Sequence, residues 1–272
     1  MRHRDLGVLE GDVLVFGGPY SNAQATQALL ARARELAIPG DRMICTGDTV
    51  AYCGGARETV AALRDSGCAV LAGNCEIQLA QDAEDCGCGF ADGSACDLLS
   101  NAWYAHARAV VPAADKAWMA DLPGVITFEQ AGKRFGVLHG GMRDVAQFIW
   151  ETDEDALFAR EWAALERAVG PVDAVIAGHC GLPFLRLTAR GAWMNAGVIG
   201  MPPHDGDPAT RYGVLSDGQM RIERLSYDHK TAMAEMRAAF LPPAYHDALQ
   251  SGYWPSEDVL PDPLRVPVSD RG

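Results

Sequence analysis

Residues 42–48 read RMICTGD and residues 69–74 read AVLAGN. In each stretch a short apolar run passes through a glycine into one polar residue, Asp48 or Asn74. A run of three or four apolar residues bounded by turn formers reads as a strand buried on both faces. Between the two runs lies a loop, 47–55, and a helical pattern over 56–66, so the unit is strand, helix, strand. The unit before it has the same plan: DVLVF at 12–16, a Gly-Gly-Pro turn at 17–19, and a helical stretch over 22–37. Such alternation gives a parallel sheet with helices on its faces, and ligands then gather at the carboxyl ends of the strands. The loops after Phe16, Cys45 and Ala72 should therefore line one crevice.

Farther along, residues 81–94 are rich in Gly, Asp and Cys and read as a loop, followed by helices around 97–107 and 113–120. Residues 124–129 and 133–138 form a hairpin pattern about a turn at Ala131 and Gly132. After a helix over 153–169 comes another buried run, AVIA at 174–177. Strands near 184–188, 192–195, 212–216 and 221–225, separated by glycine-containing turns, suggest a second, largely antiparallel sheet. We expect a single domain over 1–254 and a Pro-rich, extended and poorly ordered tail over 255–272, which contains four prolines.

Composition narrows the function classes. With 23 Lys and Arg against 36 Asp and Glu, the net charge is −13, which opposes binding to nucleic acid. No apolar run approaches the roughly 20 residues of a spanning helix, and Asp5, Glu10 and Asp12 interrupt any signal-peptide core. The expected location is the cytoplasm, with no membrane partner. There the eight cysteines should stay reduced, with some of them candidate ligands or reactive thiols and Cys45 and Cys68 small core residues in strands.

Four polar residues stand at the ends of apolar strands: Asp48, Asn74, His139 after FGVL, and His179 after AVIAG. Singly, each reads as a cap, a turn residue or a structural histidine. Together they place a carboxylate, an amide oxygen and two imidazoles at one edge. That donor set suits a divalent ion such as Mn, Fe or Zn. Cys86, Cys88 and Cys96 are spaced for either metal or disulfide chemistry, and no second pair completes a common zinc pattern.

In these segments the chain resembles the calcineurin-like metallophosphoesterases, in particular their small bacterial branch. The resemblance rests on Gly47-Asp48, Gly73-Asn74-Cys75, His139-Gly140, Gly178-His179-Cys180-Gly181 and the Asn195–Pro202 segment, in order and over nearly the whole chain. It implies a four-layer αββα sandwich, α/β in class, with mixed sheets flanked by helices. It also implies a metal-dependent phosphatase or phosphodiesterase acting on a small phosphorylated substrate or a phosphoprotein. Asp48, Asn74, His139 and His179 match one complete half of the family's two-metal site. The other half is largely missing: Gly18, Tyr20 and Gly181 stand where the family has ligands, which implies one ion per chain.

Cys75 replaces the family's histidine after Gly-Asn, so Cys75 and His139 are the candidate catalytic residues, with Arg143, His204 and Tyr20 as candidates for binding substrate. Cys75, Cys180 and Cys53 fall in loops that the resemblance places beside the metal, where a thiolate could stand in for a lost ligand. Two other readings remain open: a non-catalytic relative that binds a metal or ligand, and a thiol-containing metal or redox sensor.

Overall fold

A computed structural model describes residues 1–267. Two sheets lie face to face. One has the order β1-β5-β6-β7-β9-β8, built from β1 (His3–Val8), β5 (Val125–Gln130), β6 (Lys133–Val137), β7 (Ala174–Ala177), β9 (Ala192–Asn195) and β8 (Phe184–Leu187). The other has the order β11-β10-β2-β3-β4, from β11 (Gln219–Leu225), β10 (Thr210–Ser216), β2 (Val13–Phe16), β3 (Met43–Cys45) and β4 (Ala69–Val70). Strands β2, β3 and β4 run parallel, in register Val15 with Ile44 and Ile44 with Ala69.

The layering follows from side-chain alternation along each strand. On β2, Val13 and Val15 pack with Ile126, Phe135, Val137 and Ile176 of the facing sheet, forming the core between the two sheets. Leu14 and Phe16 point the other way, against Leu29 and Ala33 of α1 (Ala23–Glu35) and Leu63 of α2 (Ala56–Ser66). On the far side, Val175 and Trp193 pack under Phe158, Trp162 and Leu165 of α6 (Asp155–Val169). The order of layers is helix, sheet, sheet, helix, as the resemblance implies.

The last four strands do not form a sheet of their own. Strand β9 pairs parallel with β7 and antiparallel with β8, whereas β10 pairs antiparallel with β2 and carries β11 as the sheet edge. Tyr212 and Val214 of β10 face α1 while Leu215 faces the inter-sheet core, so β10 is buried on both sides and belongs inside a larger sheet. Alternation shows that a strand exists, not which sheet receives it. Strand β1 has no apolar run; most of its residues are exposed, and it adds to the edge of β5 through the backbone.

Three helices complete the layer beside the crevice: α4 (Ala95–Val110), α7 (His229–Ala238) and α8 (Pro243–Ser251). Trp103, Met233 and Tyr245 from these helices pack with Tyr20 and Cys75 in a further apolar cluster. The segment after α8 is packed rather than poorly ordered as far as the described residues extend: Leu260 is buried against the α6 side. Residues 268–272 of the expected tail lie outside the described residues. No helix among the described residues is long and apolar enough to cross a membrane.

Candidate metal centre

Asp48 follows β3, Asn74 opens α3 (Asn74–Ala80) after β4, His139 follows β6 and His179 follows β7. The carboxyl ends of both sheets thus converge, and a bridge between Gly17 and Val198 ties them together. Asp48 and His179 hold left-handed backbones, φ 56° and 60°, a conformation that costs a residue with a Cβ roughly 1–2 kcal/mol. Such strain persists only where neighbours fix it.

Glu76 supplies much of that fixing. Its Oε2 accepts from Asp48 N at 2.9 Å and Gly73 N at 2.8 Å, and its Oε1 accepts from Thr49 N and Thr49 Oγ1, both at 2.7 Å. This fully buried carboxylate joins the loop of Asp48 to the start of α3. Sequence reading missed it; the available signal was an acidic residue in the first turn of a helix whose other early residues are buried. Burial and the nearby Asp48 charge raise its pKa.

The four donor atoms meet at short range. His139 Nε2 lies 3.0 Å from Asn74 Oδ1, 3.1 Å from His179 Nδ1 and 3.3 Å from Asp48 Oδ2. Asp48 Oδ2 and His179 Nδ1 are 3.9 Å apart. Ligands about 2.1 Å from one ion sit roughly 3.0–3.4 Å from each other in octahedral or tetrahedral geometry, so the set has nearly the spacing of a coordination shell.

Neighbouring hydrogen bonds fix the direction of the lone pairs. His139 Nδ1 donates to Thr46 O at 2.6 Å, which leaves Nε2 as the acceptor in the neutral ring. Asn74 Nδ2 donates to Cys86 O at 2.9 Å, which turns Oδ1 inward. Acceptors that converge on one point repel unless a proton or a cation lies between them, and a histidine braced by a backbone carbonyl is the usual arrangement of a metal ligand. Among the described residues, Asp48, His139 and His179 are the one group of three or more His, Cys, Asp or Glu side chains close enough to share an ion. The residues present fit a divalent cation.

Of the two imidazoles, His139 holds a proton the more readily. Burial pulls its pKa down, but the Asp48 carboxylate and the Thr46 carbonyl more than offset this, and the net shift is upward. His179 is pushed down to about 3, by burial first and then by the charge on His139. Burial would raise Asp48, yet the two histidines hold it at about 2.

The cysteines are placed differently from the expectation that they replace lost ligands. No cysteine joins the Asp48 group. Cys75 donates its backbone N–H to Asp48 Oδ1 at 3.4 Å, and burial, then Asp48 and Glu76, push its thiol pKa well up, so the thiol stays neutral. Burial pushes Cys180 up to about 12.

Beside the four donors lies a cavity of about 70 Å³, lined by Asp48, His179, Cys75 and a wall of Tyr20, Tyr52, Phe90, Phe148, Tyr245 and Trp254. Among the described residues, no lysine or arginine lines it. Arg143 is exposed beside the loop that follows His139. His204 is buried outside the cavity wall: its Nδ1 accepts from Trp254 N at 2.8 Å and its Nε2 donates to Glu257 at 2.7 Å. His204 therefore fastens the segment that roofs the cavity, with Trp254 Nε1 donating to Pro202 O at 2.8 Å. Of the three candidates for substrate contact, only Tyr20 faces the space.

Gly18, Tyr20 and Gly181 form a filled volume. A Cβ on Gly18 would lie 2.6 Å from both Tyr20 Cζ and Val198 Cγ1. On Gly181 it would meet Trp254 at 3.2 Å. Aromatic rings occupy the room that further ligands would need.

No family model matches the sequence, and no curated protein matches it. Among solved structures, the chain is similar to a hypothetical protein from Pyrococcus horikoshii OT3, with a TM-score of 0.74 at 17% identity, covering 90% of this chain and 100% of that one. It is also similar to a metallophosphoesterase from Sphaerobacter thermophilus, with a TM-score of 0.69 at 18% identity and the same two coverages. The fold is that of the calcineurin-like metallophosphoesterases. Within that fold, this chain brings Asp48, His139 and His179 together as a possible metal site.

Proposed function

We propose that this chain is a metal-dependent phosphoesterase working with one divalent ion held by Asp48, Asn74, His139 and His179. The observation that carries the reading is the approach of Asn74 Oδ1, His179 Nδ1 and Asp48 Oδ2 to 3.0, 3.1 and 3.3 Å from His139 Nε2, at the buried carboxyl ends of both sheets. A bound ion supplies Lewis acidity toward a phosphoryl oxygen and lowers the pKa of water. The chain's own residues do the rest. Thr46 and Glu76 hold His139 and Asp48 in place, and a neutral Cys75 thiol stands where the resemblance has a histidine. Tyr20, kept protonated by burial and then by Asp48, offers a hydroxyl donor to a substrate oxygen.

Charge balance favours phosphodiesters over phosphomonoesters. Asp48 and Glu76 offset a divalent ion, and among the described residues no Lys or Arg lines the cavity, so a monoanionic diester is better matched than a dianion. A cavity of about 70 Å³ is far below the roughly 300 Å³ that encloses a whole organic ligand, so most of the substrate lies outside it or displaces the roof.

The test pairs elemental analysis of protein purified without chelator with hydrolysis of bis(p-nitrophenyl) phosphate and p-nitrophenyl phosphate in Mn²⁺. We expect at most one ion per chain and turnover of the diester, lost in His179→Ala. A metal-saturated chain that hydrolyses neither compound refutes the enzymatic reading. The alternative is then a non-catalytic relative that binds a metal or ligand, which the ring-filled volume at Gly18 and Gly181 and the roof of Trp254 favour.

A further inference from the structure

The phosphoesterase reading leaves the Cys86-Gly87-Cys88 loop without a role. Cys86 and Cys88 are bonded to each other, and the small ring they close includes the Cys86 carbonyl. That carbonyl accepts from Asn74 Nδ2 at 2.9 Å, and Cys88 Sγ faces the same nitrogen at 3.4 Å. The Cys75 sulfur is the remaining partner, at 3.5 Å. A side-chain amide is planar, so fixing its nitrogen fixes its oxygen. The oxygen of Asn74 is the atom 3.0 Å from His139 Nε2.

We propose that the Cys86–Cys88 disulfide is a redox-sensitive clamp which sets the metal affinity of the centre by holding Asn74. The inference rests on the ligand set proposed above. The reductant is a dithiol. Its thiolate attacks one sulfur of the pair, the other leaves as a thiolate and takes up a proton, and the second thiol of the reductant then resolves the mixed disulfide. Two electrons and two protons enter the chain, one S–S bond breaks, and the reductant leaves as a disulfide. Two thiols cannot remain at bonding distance, so the ring opens. The peptide between Cys86 and Gly87 is then free to turn, and Asn74 loses the acceptor that orients it. Cys86 and Cys88 are themselves buried, but Asp85 and Gly89 on either side of the pair are exposed, so the loop that carries the pair lies at the surface where the reductant meets it.

Outer partners of metal ligands are typically worth 10–100-fold in affinity, which sets the expected effect. Mn²⁺ is titrated calorimetrically into the full chain, first oxidised and then reduced with a dithiol that is removed anaerobically, with free thiols counted in both states. Reduction should expose two further thiols and weaken Mn²⁺ binding roughly 10–100-fold. A Cys86→Ser/Cys88→Ser variant should bind weakly in both conditions, while Cys75→Ser should keep the redox difference. Equal affinity in the two states overturns the clamp, as does a redox difference that survives in the double variant, or a thiol count that does not change. Absence of Mn²⁺ binding in both states overturns the clamp and the ligand set together, which separates that failure from the others.

Discussion

Restoring a carboxylate at position 18 tests whether the missing half of the metal site is vacant or filled. Gly18 has φ +40°, and a Cβ there would stand 2.6 Å from Tyr20 Cζ and from Val198 Cγ1. The left-handed backbone costs a residue with a Cβ roughly 1–2 kcal/mol, and overpacking a close-fitting site costs about 1–3 kcal/mol. Gly18→Ala should therefore destabilise the protein by roughly 2–5 kcal/mol. Gly18→Asp should cost more, because its carboxylate is buried beside Asp48 with no cation to pair with. At about 2–4 °C per kcal/mol for a chain near this size, thermal unfolding should fall by roughly 5–15 °C or more. Circular dichroism melts together with metal analysis decide the matter. We expect a lowered Tm and still no second ion. A Gly18→Asp protein that melts like wild type and holds two ions per chain refutes the claim that rings have taken over that volume.

Asp48→Ala and His179→Ala should each abolish metal retention during gel filtration, since each removes one of four donors, while His204→Ala should retain it; equal metal content in His179→Ala and wild type refutes the ligand set. Metal affinity should fall about tenfold for each unit that the pH drops below the raised pKa of His139, because one proton must leave Nε2 for each ion bound. His179 at about 3 and Asp48 at about 2 are already deprotonated there, and an affinity that does not change between pH 5 and 6.5 sinks the assignment. Glu76→Ala leaves three buried backbone N–H groups without their acceptor. At about 1–3 kcal/mol for each, denaturant unfolding should show a loss of roughly 3–9 kcal/mol, and a loss below ~1 kcal/mol contradicts the bracing role.

The central strands and the positions of the four polar residues at their ends were legible because burial on both faces writes a continuous apolar run, and a polar residue just past such a run has only the crevice to face. Asp48, Asn74, His139 and His179 all obeyed that rule. Glu76 did not, since a buried carboxylate inside a helix looks in sequence like any solvated acid. The sheet membership of β9 and β10 was hidden because it depends on pairing over long range, and β1 was hidden because an exposed edge strand needs no apolar pattern. His204 shows the limit from the other side: its position in the chain suggested substrate contact, whereas its two nitrogens are both used to fasten Trp254 and Glu257.

The roof over the cavity has a consequence for the order in which the protein matures. By the end of β9 at Asn195, the chain being synthesised already contains Asp48, Asn74, His139 and His179. Trp254, which roofs the cavity, leaves the ribosome only after all four of them. The four polar side chains are thus all made before the segment that covers the cavity beside them.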